Sequence, residues 1–292
     1  MENTDRMQQV SKQQGWWVAA TLFSLIAFAA NSIFCRLALR SGDIDPDAFT
    51  AIRLLGGALF LLPLCVKTRQ SSTLGGTWRG GLYLFIYAFL FSLAYVQLDA
   101  GVGALILFGA VQLTMFTLGW RNGEKLRARV VLGMAVAFSG LVVLLAPGGN
   151  APSPASAFFM AVAGVAWGCY SVLGKHSANP AQDTAGNFLR SLPLIAIVVG
   201  IGYLQAGPHI TPTGALYAAV SGALASGAGY VVWYAVLKRL RSQTAATLQL
   251  SVPVLASVAG VMLLDEPLSA RMVVASLIVL GGIALALLGS KR

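Results

Sequence analysis

The sequence predicts an all-α membrane protein, with ten transmembrane helices in two inverted repeats of five. Three observations carry this expectation. Only 10% of the 292 residues are charged and 57% are hydrophobic, whereas a soluble domain carries about 25% charged residues. So few charges cannot cover a water-facing surface, and lipid must accept the apolar excess. Apolar runs follow one another along the whole chain. And one stretch occurs twice: shifted by 142 positions, Glu124–Leu145 lies on Glu266–Leu287. Glu124, Leu126, Ala128, Arg129, Val131, Gly140 and Leu145 meet Glu266, Leu268, Ala270, Arg271, Val273, Gly282 and Leu287. Any two membrane helices share Leu, Val and Ala, but a Glu, an Ala and an Arg at fixed spacing point to a true repeat, which fixes the architecture.

Taken in order, residues 1–15 form a polar tail at the membrane surface. The apolar runs fall near 16–39, 47–67, 78–97, 100–119 and 128–146, and then 155–174, 184–204, 213–237, 243–262 and 270–288. Each is close to the length a helix needs to cross a hydrocarbon core, about 20 residues for about 30 Å. Lipid offers backbone groups no partners, so the runs are helices rather than strands. Only Gln97, Leu98 and Asp99 separate the third run from the fourth. The first run is longer than a signal-peptide core and leads into nine similar ones, so it is read as a permanent helix. Residues 16–146 make the first repeat, 147–154 a linker on the periplasmic side, 155–288 the second repeat and 289–292 a short tail.

Charge sets the orientation. With the N-terminus inside, fifteen of the twenty Lys and Arg fall in inner segments and only Arg40 and Arg271 in outer ones. Both termini are therefore expected in the cytoplasm. The outer loops hold Asp43, Asp45, Asp47, Asp99, Asp265 and Glu266. The net charge of +10 is then a topology signal, and no nucleic-acid partner is expected. Because five is odd, the second repeat enters from the opposite face. Such inverted halves hold solute near the midplane between them. Their openings echo each other: Phe28, Asn31 and Arg36 match Trp167, Tyr170 and Lys175 at identical spacing, and Pro46 and Arg53 match Pro180 and Arg190 after a small deletion.

These openings, Phe28-Ala29-Ala30-Asn31 through Arg36 and Trp167-Gly168-Cys169-Tyr170 through Lys175, resemble the EamA-type repeat. So do the turns Gly123-Glu124-Lys125-Leu126 and Asp265-Glu266-Pro267-Leu268. The chain is similar over nearly its whole length to the drug/metabolite transporter superfamily, and within it most like the YddG-type exporters of aromatic amino acids. The resemblance implies ten helices, inside termini, and a central cavity lined by the first four helices of each half, with the fifth and tenth at the periphery. It implies an amino acid, aromatic by preference, moving outward across a bacterial inner membrane; a drug or other metabolite exporter of the same fold, with or without proton coupling, is the alternative. One departure stands out. The fourth helix of such a repeat commonly carries a proline, which the second half keeps as Pro253 while the first half has Val111 and Gln112.

No enzymatic chemistry is expected. There is no phosphate-cradling glycine loop, no nucleophile with a base and no metal spacing, and no cofactor is expected. Cys35, Cys65 and Cys169 stand singly in apolar runs, and His176 and His209 lie in separate loops. No acid lies deep in a helix, which argues against a proton relay. Arg36, Arg53 and Arg190 sit within runs, where snorkelling or pairing with Asp43, Asp45 or Asp47 is the favoured reading and attraction of a carboxylate entering from outside the alternative. Polar and aromatic residues at helix depth are the better candidates for binding a small solute: Asn31, Tyr87, Tyr95, Gln112, Trp167, Tyr170, Tyr230 and Gln249. A buried amide must face protein or a wet cavity. Tyr95, Trp233, Tyr234, Trp16, Trp17 and Trp120 lie near helix ends, where an interfacial belt is the competing assignment. Gly101, Gly103, Gly109, Gly222, Gly227 and Gly229 are read as packing positions. A monomer in the bilayer is compatible with all of this.

Overall fold

Runs of Leu, Val, Ala and Phe without the polar–apolar alternation of a half-buried strand give helices, and helices are what the described residues form. The computed structural model describes residues 2–67, 75–121, 128–147, 151–175, 177–205, 207–237, 248–249 and 251–289. Among the described residues these helices are α1 (Glu2–Arg40), α2 (Pro46–Lys67), α3 (Trp78–Tyr95), α4 (Ala100–Arg121), α5 (Ala128–Leu145), α6 (Pro154–Lys175), α7 (Pro180–Gln205), α8 (Pro212–Leu237), α9 (Ser251–Leu264) and α10 (Ala270–Gly289). α1 starts earlier than the apolar run because the Gln, Glu and Lys of the tail are themselves good helix formers. The Glu124 turn, His176 and the basic segment around Lys238 lie outside the described residues.

Among the described residues seven helices are long and apolar enough to cross a membrane, namely α1, α2 and α4 to α8; α9 and α10 contribute shorter apolar stretches. α3 falls outside that set because Trp78, Arg79 and its three tyrosines lower its apolarity. The lipid-facing side is easily recognised. Leu22, Leu59, Phe138, Ile201, Leu224 and Leu277 are exposed large apolar side chains, which a water-soluble surface does not tolerate in such number. Trp16 and Trp120 are also exposed, as a belt requires. Trp233, Tyr234 and Tyr95 are buried instead. Proximity to a helix end did not decide their fate, because the end of one helix abuts the flank of another.

Helix pairing repeats itself across the two halves. α3 packs on α6 as α8 packs on α1; α4 packs on α6 as α9 packs on α1; α2 packs on α8 as α7 packs on α3. α2 with α7, α4 with α9, and α5 with α10 pair with their own counterparts. Exchanging each helix with the one five places on therefore returns the same list. Chain direction is reversed between the halves. Gln97, at the end of α3, receives a hydrogen bond from Ser156 at the start of α6, and Arg36 near the end of α1 bonds the carbonyls of Tyr95 and Val96. So α1 ends where α6 begins.

Close approach at the α5–α10 crossing depends on glycine. A Cβ on Gly282 would strike the backbone of Ala137 and Gly133, and one on Gly133 the backbone of Gly282 and Ala286. Small residues let two helices touch without a hydrophobic drive between them.

The end of the bundle rich in acids is tied across both halves. The Arg36 guanidinium pairs with Glu266 at 3.2 Å and Asp99 at 3.3 Å. Glu266 also accepts the Ala100 backbone N–H at 2.8 Å, at the start of α4, where a helix dipole favours a carboxylate. Arg40 bonds the Leu264 carbonyl and Arg271 the Ala146 carbonyl, both at 2.6 Å. Arg36 thus pairs as expected of an intramembrane arginine, but with Glu266 and Asp99. Asp43 and Asp47 accept local bonds from Ser41 and the Ala48 N–H, while Asp45 accepts the His209 N–H and Asp43 also the Thr211 hydroxyl, both from the other half.

Candidate functional site

Arg53 is the residue around which the interior is arranged. It sits about two turns into α2 and is 1% exposed, too deep for the outer aspartates to reach. Its Nε donates to Ser226 Oγ at 3.0 Å, and its Nη2 to the hydroxyls of Tyr87 and Tyr230, each at 3.1 Å. Nη1 is buried without a hydrogen-bond partner. The guanidinium lies 5.1 Å from the ring centres of both Tyr87 and Phe91, a cation–π distance. Among the described residues no carboxylate pairs with it. The expectation of snorkelling or of pairing with Asp43, Asp45 or Asp47 is overturned, because the intervening two turns of helix place the guanidinium among neutral hydroxyls. A buried charge held only by neutral groups is costly.

The partners come from both halves. Tyr87 on α3 and Tyr230 on α8 are 143 residues apart, nearly the repeat length, and their hydroxyls lie 3.4 Å from each other. Phe28 on α1 and Trp167 on α6, matched by the sequence repeat, meet edge to face with ring centres 6.0 Å apart. Residues that correspond between the halves therefore meet in space, so the pseudo-two-fold passes through this cluster. Trp167, 3% exposed, lies 4.8 Å from the Tyr87 ring centre and 4.7 Å from that of Tyr230. Arg190, which the sequence aligns with Arg53, does not share its role: it bonds the Gly75 and Gly186 carbonyls.

Asn31 lies beside Arg53's partners. Its Nδ2 donates to the Tyr87 hydroxyl at 3.2 Å and its Oδ1 accepts from Ser221 at 2.6 Å. Both ends of the amide are thus used within the protein. Ser221 and Ser226 belong to a π-helical segment of α8, Ser221–Ala228; such wide turns recur at functional sites. Gly222 in that segment lets α8 lie directly on the Arg53 backbone.

Of the eight candidates, the structure gathers Asn31, Tyr87, Trp167 and Tyr230 around Arg53. Tyr170 flanks them: its ring centre is 5.6 Å from that of Trp167, and its hydroxyl reaches Asn187 at a long 3.5 Å. Tyr95 sits further toward the acidic end, its ring against Phe91 and its hydroxyl donating to the Ala100 carbonyl at 3.1 Å. Gln112 is buried beside α5 and α10, next to Gly133, Ala137 and Ala286, with its Nε2 unpartnered; its depth is legible in the sequence and its face is not. Gln249 is buried. Ser221 and Ser226 are site residues that sequence reasoning passed over, and Arg53 is one to which it gave snorkelling or pairing in preference to a binding role. The available signal was the depth of Arg53, about 10 Å past Pro46 at 1.5 Å per residue.

Among the described residues the side chains of the cluster are buried. Between Phe28, Ser32, Tyr87, Phe91, Leu107, Phe108 and Trp167 lies a cavity of about 10 Å³, room for a single water. Any solute larger than that requires the aromatic side chains to part.

A two-fold bundle of apolar helices closed over a polar and aromatic centre defines a class: a multi-pass membrane protein built from two opposed repeats. The EamA-like transporter family matches the chain twice, at residues 15–146 and 155–288, and the chain belongs to that family. It is 48% identical over 268 residues to an uncharacterized protein of Pseudomonas aeruginosa, covering 91% of this chain and 93% of the other. It is 28% identical to a protein of Ancylobacter novellus named aromatic amino acid exporter YddG, covering 92% and 98%, and 26% identical to a probable amino-acid metabolite efflux pump of Salmonella typhimurium, covering 70% and 73%. A crystal structure with 22% sequence identity superposes with a TM-score of 0.66 over 94% of this chain and 99% of that one, which supports the fold.

Proposed function

We propose that this transporter exports small amphipathic solutes, aromatic or other neutral amino acids by preference, through alternating access about the Arg53–Trp167 cluster. One observation carries the reading: corresponding residues of the two opposed repeats converge on a single buried polar and aromatic centre, where rocking one half against the other exposes the same groups to either side. Ring faces suit an aromatic side chain, and the polar groups beside them suit its head. In this reading all ten helices cross the bacterial inner membrane, repeats 16–146 and 155–288 joined by the periplasmic linker 147–154, with both termini in the cytoplasm. The acidic end is then periplasmic, and the Arg36–Glu266–Asp99 contact is the closure on that side. The names of the Ancylobacter and Salmonella relatives support the choice of amino acids.

Two variants test it. Trp167→Ala removes a stacking surface and is expected to weaken phenylalanine transport by about 1–3 kcal/mol, roughly fivefold to over a hundredfold, with less loss for leucine. Asn31→Ala frees Tyr87 and Ser221 and is expected to depress all substrates alike. Transport in liposomes at matched protein amounts reads both. Unchanged phenylalanine and leucine transport in Trp167→Ala would remove this centre from the transport path.

A further inference from the structure

We infer that the central site recognises its solute by a carboxylate held on Arg53 and makes no use of an ammonium group, so that aromatic monocarboxylates lacking the amine are substrates on equal terms. The inference rests on the carrier reading and names the substrate class of that site.

The first argument is the state of Arg53. It is a buried cation with no anion among the described residues, one nitrogen unpartnered and the others held by Ser226, Tyr87 and Tyr230. A guanidinium matches a carboxylate with two parallel hydrogen bonds that are stronger than bonds to neutral hydroxyls. A carboxylate reaching Nη1 completes the unfinished coordination and neutralises the charge. The second argument is the shortage of acceptors. An ammonium group needs several acceptors or an acid. The Asn31 carbonyl oxygen is taken by Ser221. The only buried carboxylate among the described residues, Glu266, is held by Arg36 and the Ala100 N–H at the acidic end. The Tyr87 and Phe91 ring faces already carry the guanidinium. An ammonium placed here would meet a like charge a few ångströms away in a medium that screens poorly. Trp167 and Phe28 supply the apolar wall for the rest of the solute.

The test is displacement of labelled phenylalanine from the purified full-length protein in detergent micelles, where permeation of weak acids and amines plays no part. The competitors are phenylalanine, 3-phenylpropanoate and 2-phenylethylamine. The expected result is half-displacement by 3-phenylpropanoate at or below the concentration required of phenylalanine, with 2-phenylethylamine at least about tenfold weaker. A 3-phenylpropanoate that is about tenfold weaker than phenylalanine, or an amine that equals it, overturns the inference while the amino-acid reading stands. If labelled phenylalanine does not bind but labelled 3-phenylpropanoate does, the inference holds and the amino-acid reading falls. If neither binds, both fall. Arg53→Gln is expected to lose both acids together, with its thermal melt as the control for folding; the competitor series on the unaltered protein decides the question even where that variant is unstable.

Discussion

At the scale of single residues, the difference between Arg36 and Arg53 is instructive. Both are intramembrane arginines within reach of an acidic loop on the sequence. Arg36 acquires two carboxylates and two carbonyls; among the described residues Arg53 acquires none of either. What the sequence could not convey is which acids reach across from the other half, since Glu266 lies 230 residues from Arg36. Glu266 also carries a testable pH dependence. Burial pushes its carboxyl above the ordinary glutamate value, against the Ala100 N–H that lowers it; Asp99 adds to the rise and Arg36 opposes it. The folded chain therefore holds a proton at a pH where an unfolded glutamate has lost it, so this group's contribution to stability grows as pH falls and is lost as pH rises through the folded value. Glu266→Gln lacks that dependence. Melting temperatures measured from about pH 5 to pH 8 are expected to show the variant gaining on the parent as pH rises. The parent gaining instead would mean that the ion pair with Arg36 outweighs burial.

At the scale of helices, the sequence was legible wherever apolarity alone decides. The short α3–α4 turn falls on residues 96–99, and the α5–α10 pairing joins the two copies of the repeated stretch. It was less legible where a face had to be chosen. Asn31 and Gln112 lie at similar depth, but α1 turns its amide inward while α4 turns Gln112 toward α5 and α10. Nor does composition disclose the π-helical turn that brings Ser221 and Ser226 to the site. The packing account makes a paired prediction on α10. Gly282→Leu must push a side chain into the α5 backbone and is expected to cost about 1–3 kcal/mol. Its neighbour Gly281 has nothing within 4 Å of a would-be Cβ, so Gly281→Leu is expected to stay within about 0.5 kcal/mol. Thermal unfolding in detergent compares them, and equal losses would contradict the crossing described.

At the scale of the whole molecule, two opposed copies of one five-helix unit explain both the architecture and the position of the site. The repeat read from Glu124 and Glu266 predicts a pseudo-two-fold, and the pairs Phe28–Trp167 and Tyr87–Tyr230 lie on it. The symmetry is incomplete at the point that matters for binding: Arg53 is central, while Arg190 serves the α2–α3 connection. In the carrier reading proposed above, the halves move against each other to part the aromatic centre, whereas a pore would conduct without such a movement. Counterflow of labelled phenylalanine into proteoliposomes tests this most directly. With excess unlabelled phenylalanine inside and no imposed ion gradient, the account predicts transient, saturable accumulation of label above its equilibrium level. Uptake that rises linearly with external concentration and is indifferent to internal phenylalanine would contradict it.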